Sequence, residues 1–236
     1  MADVLFIGAH PDDVEILGGG LVASLVRRGY KVVIADATGG EMGSRGTPEE
    51  RRREATAAGE VLGIAKRLNL RLPDGRIADE LPQAVHACVH AIREHRPRLV
   101  ITHEPGDHHP DHNALAEAVK RAIFSSYTVK YDTGQERHRV HRLLYMVGRR
   151  TELPERVSFV ADVSDVWETK MESLRSYTSQ LHNPNYKGAD TFVSSDLAWR
   201  MIEARGMYFG SLIGVKYGEA YLSQDTLRVD DPVALL

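Results

Sequence analysis

The feature that most constrains this chain is an alternation. Short apolar runs suited to buried strands occur at DVLFIGA (3–9), KVVIADAT (31–38) and RLVITHE (98–104), with KRLNL (66–70) a further strand candidate between them. Each is followed by a segment with helical spacing: VEILGGGLVASLVRRG (14–29), TPEERRREATAAGEVLGI (47–64), LPQAVHACVHAIREHR (81–96) and DHNALAEAVKRAIFSS (111–126). Strands that are apolar throughout need both faces covered, and strands joined through helices run parallel. The pattern predicts an α/β protein with a Rossmann-like, doubly wound, mainly parallel sheet and helices on both faces.

Local signals mark the boundaries. Gly29 is a stop for the first helix, and Thr47 followed by Pro48 is an N-cap with proline in the first turn. Pro97 closes the third helix, and Asp111 is expected to cap the fourth. Beyond residue 140 the order changes. LLYMVG, SFVADV and GVKYGEAYL have strand character, whereas VWETKMESLRSY and SDLAWRMIEARGMYFG have helical spacing. With no repeat, low-complexity tract or linker, residues 1–236 are expected to form a single domain with a C-terminal elaboration.

Composition narrows the partners. A chain of 236 residues with net charge −3 has no electrostatic footprint for nucleic acid or an anionic membrane. No run approaches the roughly 18 apolar residues of a membrane span. Met-Ala-Asp leads directly into VLFIGA without a basic leader, so a cytoplasmic location is expected. The single cysteine, Cys88, sits in AVHACVHAI and reads as a buried structural thiol.

Two clusters carry chemistry. AHPDDVEILGGG (9–20) places His10, Asp12, Asp13 and Glu15 just after the first strand. His103 at the end of the fourth strand and the EPGDHHPDH that follows it place His103, His108, His109 and His112 within ten residues. In open α/β sheets ligands bind outside the carboxyl ends of the strands, so both clusters fall on one rim. Imidazole and carboxylate together form the donor set of zinc and related divalent ions. Taken singly, Asp-Asp after a strand is also an ordinary turn and cap, and HHPDH an ordinary loop. The glycines at 18–20 make no dinucleotide fingerprint, because the turn is HPDD and its carboxylates repel a pyrophosphate. Their expected use is close packing of the first helix against the sheet or the metal loop.

AHPDD followed by HPDH after a later strand resembles the LmbE/PIG-L family of zinc-dependent N-acetylglucosamine deacetylases. TGGEMGSRGTPEERRRE, NLRLPDG, YTSQ and GVKYGEAY extend the resemblance, most closely to the branch that deacetylates N-acetylglucosaminyl malate in bacillithiol biosynthesis. The resemblance implies His10, Asp13 and His112 as metal ligands, with zinc, or alternatively ferrous iron, as the ion. It implies Asp12 as general base and His109 as the imidazole that, protonated, stabilises the oxyanion, with Asp111 orienting it. Arg51 and Asp74 are the implied substrate contacts, Arg51 toward a malate carboxylate and Asp74 toward sugar hydroxyls. Arg52 and Arg53 read as a solvated helix face, and Glu15 as a structural neighbour of the ligands. Arg205 and Tyr221 fall in matching segments without an assigned role. The implied partner is a small N-acetylglucosaminyl substrate, with chitobiose or a mycothiol-type precursor as alternatives, and a homo-oligomer, a hexamer in the family. Rival readings of the same donors are a non-haem iron oxygenase, a metal phosphoesterase and a non-catalytic metal-binding protein.

Overall fold

The computed structural model describes residues 1–148 and 157–226; the single-domain expectation also took in 149–156 and 227–236, which lie outside the described residues. The elements are β1 (Val4–Gly8), α1 (Asp13–Arg27), β2 (Val32–Asp36), α2 (Pro48–Leu62), β3 (Lys66–Asn69), α3 (Leu81–His95), β4 (Leu99–His103), α4 (Pro110–Tyr127), β5 (Arg142–Met146), β6 (Phe159–Asp162), α5 (Trp167–Arg175), α6 (Asp196–Leu212) and β7 (Gly218–Leu222). A short 3-10 turn at Ser164–Val166 precedes α5. They form one sheet in the order β3-β2-β1-β4-β5-β7-β6. The first five strands are parallel, and β7 runs antiparallel to both β5 and β6.

Two large apolar cores result among the described residues, one on each face, beside a small third cluster of Val147, Phe209 and Ala220. Val14, Val22, Ala58, Leu62, Met171 and Leu174 pack α1, α2 and α5 on one side. Val85, Cys88, Val89, Leu115, Val119 and Ala122 pack α3 and α4 on the other. The chain winds outward from β1 to β3, crosses to the other face, and returns to β4. The strand order therefore reverses at β1, which pairs with both β2 and β4. Such a switch point opens a crevice at the strand carboxyl ends. The loops after β1 and β4 carry the two polar clusters into it.

Local chemistry explains the frame. Thr47 accepts the Glu50 N–H while the Glu50 side chain accepts the Thr47 N–H, a reciprocal cap that starts α2. Gly29 follows α1 at φ +87°, where any other residue is strained. The α4 cap differs from expectation. His109 occupies the cap position and its Nδ1 accepts the Asp111 N–H at 3.2 Å, so Asp111 lies inside the first turn rather than before it.

Gly18 packs against the sheet, facing Phe6, Met146 and Tyr221, as expected, whereas Gly19 and Gly20 face the C-terminal elaboration and not the metal loop. Glu219, on β7, accepts the Gly20 and Leu21 N–H groups at 2.9 and 2.7 Å, and the Tyr221 hydroxyl at 3.1 Å. Lys170, on α5, donates to Glu219 at 2.6 Å and to the Ile16 carbonyl at 2.8 Å. A buried ion pair thus reaches into the middle of α1. A Cβ on Gly20 would lie 2.8 Å from Val163 Cβ and 3.0 Å from Glu219 Oε1. At Gly19 the nearest obstacle is Lys170 Cγ at 3.3 Å. Alanine gains about 1 kcal/mol in helix propensity, whereas overpacking a closed site costs about 1–3 kcal/mol. Gly20→Ala is therefore expected to lower the urea midpoint and Gly19→Ala to leave it close to wild type. Equal midpoints for the two variants would contradict the clamp.

Candidate metal centre

The α1 N-terminus starts the site. Asp12 precedes α1 with φ 108°, a left-handed conformation that costs energy outside glycine and is least costly for Asn and Asp. Its carboxylate makes no capping bond to the helix it precedes. It lies instead 3.5 Å from Arg51 Nη2, with both side chains buried. The next residue, Asp13, turns the other way, and its Oδ2 accepts the His10 N–H at 2.7 Å.

Asp13 Oδ2 is the hub. His10 Nδ1 lies 3.3 Å from it, His112 Nε2 3.4 Å and His103 Nε2 3.3 Å. The far nitrogens of two of these rings face outer carboxylates. His10 Nε2 lies 3.1 Å from Asp74 and 3.4 Å from Asp111, and His112 Nδ1 lies 3.1 Å from Asp107. Histidine ligands have this arrangement: one nitrogen toward the ion, the other held by a carboxylate that fixes the tautomer and raises ligand basicity. Five carboxylates, Asp12, Asp13, Asp74, Asp107 and Asp111, gather within this contact network. Their negative charge and the exchangeable histidine protons fit a divalent cation.

The electrostatics follow from that crowding. Burial opposes a charge on His10, yet Asp111, Asp13 and Asp74 hold its imidazolium up to about 12. Burial likewise opposes a charge on His112, and Asp13 and Asp107 raise it to about 9. Asp13 moves the other way, well below the usual carboxylate range, because the neighbouring His112 charge and the His10 hydrogen bond outweigh burial. Burial pushes Asp12 up to about 7, against the pull of Arg51. His109 is lowered by burial and then by the positive neighbours His112 and His10.

A cavity of about 300 Å³ opens over this cluster. His10, Asp12, Asp13, His109 and His112 line one side, and Leu181, Val193, Met201 and Ile202 the other. Arg51 also lines it, with Nη1 and Nη2 donating to the carbonyls of Gly40 and Pro11 at 2.8 and 3.0 Å. Gly40 has φ +69° and passes so close that a Cβ would overlap the guanidinium.

Residues 5–123 match the model of the family described as PIG-L, GlcNAc-PI de-N-acetylase. The chain is 33% identical over 190 residues to a probable N-acetyl-alpha-D-glucosaminyl L-malate deacetylase 2 of Bacillus cereus, covering 75% of this chain and 83% of that protein. The chain belongs to the PIG-L family. A solved structure of the conserved protein TT1542 from Thermus thermophilus superposes with a TM-score of 0.86 at 33% identity, over 98% of both chains. A 1D-myo-inositol 2-acetamido-2-deoxy-alpha-D-glucopyranoside deacetylase of Kineococcus radiotolerans is 32% identical over 159 residues, 51% of this chain. That alignment spans 44% of the relative's own length.

In this PIG-L chain His10 and His112 both approach Asp13 Oδ2, and the His/Asp cluster, which groups His10 with His109 and His112, Asp13 with His103 and His112, and His10 with Asp74 and Asp111, can coordinate a divalent metal such as zinc or iron. The doubly wound sheet is not the all-β barrel that an iron oxygenase of this donor set would use. Asp111 departs from expectation. Its carboxylate accepts the Gly75 and Ile77 N–H groups at 2.7 and 3.2 Å and faces His10, so it holds the LPDG turn against the site instead of orienting His109. Only its backbone N–H reaches the His109 ring. Asp74 stands behind His10 as well, with its Oδ2 accepting the Met42 N–H at 2.8 Å. Glu15 is fully buried and pairs with Arg67, which also grips Asp36, the structural place expected of it. Arg52 is exposed and pairs with Glu49.

Asp107 was not singled out by the sequence. It accepts the His109 N–H at 2.9 Å, and burial notwithstanding, His112 carries its carboxyl down to about 2. An aspartate in a loop before a helix reads as a turn residue, and nothing in EPGDHHPDH separates it from one. Arg205 donates to the Val147 carbonyl at 2.9 Å, its charge facing Glu104 and Asp107. Tyr221 belongs to the Glu219 clamp.

One consequence is directly measurable. The carboxylates around them raise the imidazoliums of His10 and His112 to about 12 and about 9, which favours a proton on each ring at neutral pH when no metal is bound. A dication that takes their nitrogens displaces those protons, so zinc binding releases about two protons per ion and weakens as pH falls. Titration calorimetry in buffers of different ionisation enthalpy reads the number; zero release would contradict the raised imidazoliums of these two rings.

Proposed function

We propose that this chain is a zinc-dependent N-deacetylase whose substrate is N-acetylglucosaminyl malate, acting in the cytoplasm as a homo-oligomer. The coarser part stands on the family and the cluster: the chain is a metal-dependent hydrolase for an N-acetylglucosaminyl-type substrate, with its His and Asp metal-binding residues beside a buried Asp. The observation that carries the reading is the convergence of His10 Nδ1 and His112 Nε2 on Asp13 Oδ2, with Asp12 next to it and free of any capping bond.

His10, Asp13 and His112 would hold the ion. Zinc in such a site polarises an amide carbonyl and makes a water nucleophilic near neutral pH. Asp12, buried and with its carboxyl near 7, is poised to take a proton from the attacking water. His109 accepts the Asp111 N–H on Nδ1, which leaves Nε2 to carry the proton of the neutral ring. It can therefore donate a hydrogen bond to the developing oxyanion without first being protonated. Water adds to the acetamide carbon, the C–N bond breaks as the nitrogen takes up the proton Asp12 received, and acetate and a free amine leave. Asp107, Asp74 and Asp111 keep the ligand rings in place, and both Asp74 oxygens are engaged, so we assign it to His10 before the sugar. Arg51 draws a substrate carboxylate by charge, because its terminal nitrogens already donate to Gly40 and Pro11.

The malate branch is supported by the Bacillus cereus relative and the fit of Arg51 to an anionic aglycone. Self-association is supported by large apolar side chains left in solvent, Phe124 at 79%, Val129 at 74% and Leu197 at 63% exposure. Among the described residues no helix is long and apolar enough to cross a membrane. The test is amine release by zinc-loaded protein from N-acetylglucosaminyl malate, diacetylchitobiose and plain N-acetylglucosamine. Preference for the malate conjugate is expected. Equal turnover of all three would keep the deacetylase and discard the malate assignment.

A further inference from the structure

His103 ends β4 and is fully buried, yet it belongs to neither the expected ligand set nor the proton-transfer chemistry. Its Nε2 lies 3.0 Å from the Ala9 nitrogen and 3.3 Å from Asp13 Oδ2. Its ring stacks on His112, with centroids 3.8 Å apart and planes inclined by 16°. A single side chain therefore touches the strand end before His10, the ligand Asp13 and the ligand His112. Those groups come from the two loops that build the site, which are joined across the β1–β4 pair.

The same geometry argues against His103 as a ligand. A neutral imidazole nitrogen either carries a proton or offers one lone pair. If Nε2 is bare, its lone pair accepts the Ala9 N–H; if it carries the proton, it donates to Asp13 Oδ2. In neither tautomer does Nε2 keep a lone pair for an ion. Nδ1 is buried without a hydrogen-bond partner, a cost that a phenylalanine of similar shape would avoid. A polar ring held at that cost points to use of its other nitrogen.

We propose that His103 is the positioning residue of the metal centre, holding the end of β1 through the Ala9 N–H beside Asp13 and setting the ring plane of His112 by stacking. Asp107 fixes rotation of the His112 ring within that plane, through Nδ1, and His103 fixes the plane itself. The inference rests on the metal-centre reading, and its test reads metal binding instead of turnover. His103→Phe keeps a ring against His112 and removes Nε2; His103→Gln restores a group able to accept the Ala9 N–H. Zinc affinity is measured by chelator competition, alongside the visible absorption of the cobalt-loaded protein and the melting temperature of the metal-free protein.

The expected result for His103→Phe is a zinc affinity about 10- to 100-fold weaker. Its cobalt bands should shift, its metal-free melting temperature should stay close to wild type, and His103→Gln should recover most of the affinity. Should the phenylalanine variant not fold, His103→Asn, too short to reach Ala9, takes its place with the same expected loss. Wild-type affinity and an unchanged cobalt spectrum in these variants would overturn the proposal. Loss of one nitrogen ligand from the cobalt spectrum, without rescue by glutamine, would make His103 a ligand and overturn it equally. A wild-type protein that holds neither zinc nor cobalt would overturn the metal centre and the proposal together.

Discussion

Asp12→Asn is expected to lower deacetylation by about 10²- to 10⁴-fold, the range for loss of a positioned general base. Zinc binding should remain close to wild type, because Asp13 rather than Asp12 is the hub of the ligand cluster. Asparagine is the informative substitution here. It tolerates the φ of 108° as well as aspartate does, so the backbone is not asked to move. Stability should also respond with a definite sign. Burial raises the Asp12 carboxyl in the folded state from 3.8 to about 7. The folded state then favours the protonated form, and stability is lost as pH rises through that interval. A neutral amide escapes this loss, so metal-free Asp12→Asn should melt no lower than wild type at pH 8, and higher if the effect is fully expressed. A variant that keeps its turnover, or one that melts well below wild type at that pH, would contradict the role given to Asp12.

Lys170→Met is expected to carry the largest stability cost. Glu219 is buried and loses its cation, and breaking one side of a buried ion pair costs about 3–5 kcal/mol. Glu219 would retain the Gly20 and Leu21 N–H groups and the Tyr221 hydroxyl, which places the cost toward the lower end. The double variant Lys170→Met/Glu219→Gln carries no buried charge and should recover part of the loss. Urea midpoints of the metal-free proteins decide it. Additive losses in the double variant would show that the two residues act separately. The clamp grips the middle of α1, whose first turn carries Asp13, so the single variant should also weaken zinc binding.

Much of this arrangement was legible before any coordinates, for a physical reason. Strands with both faces buried and helices with one apolar face leave distinct periodicities, and the doubly wound topology follows from their alternation. The switch point between β1 and β4 then places His10, Asp13 and His112 on one rim, although about a hundred residues separate the two loops. The carboxylates behind the histidine rings are harder to read. Asp107 and Asp111 differ in no local pattern from turn and cap residues, and their roles depend on which ring each one faces. Asp111 looked like a cap because Asp often is one, yet His109 took that position and freed the carboxylate for Gly75, Ile77 and His10. The glycines at 18–20 were read as close packing, and close packing is what they provide. The partners of Gly19 and Gly20, Lys170 and Glu219, lie some 150 and 200 residues away and only the tertiary structure names them.

The central claim is that this cluster binds a metal that the chain uses to hydrolyse an N-acetyl group. The most direct measurement quantifies acetate and free amine released from N-acetylglucosaminyl malate by the protein as purified, after stripping with a chelator, and after one equivalent of zinc is returned. The account predicts acetate and amine in equal amounts, abolished by stripping and restored by the single equivalent. Equal release by the stripped protein, or none from a protein shown to hold zinc at His10, Asp13 and His112, would contradict it.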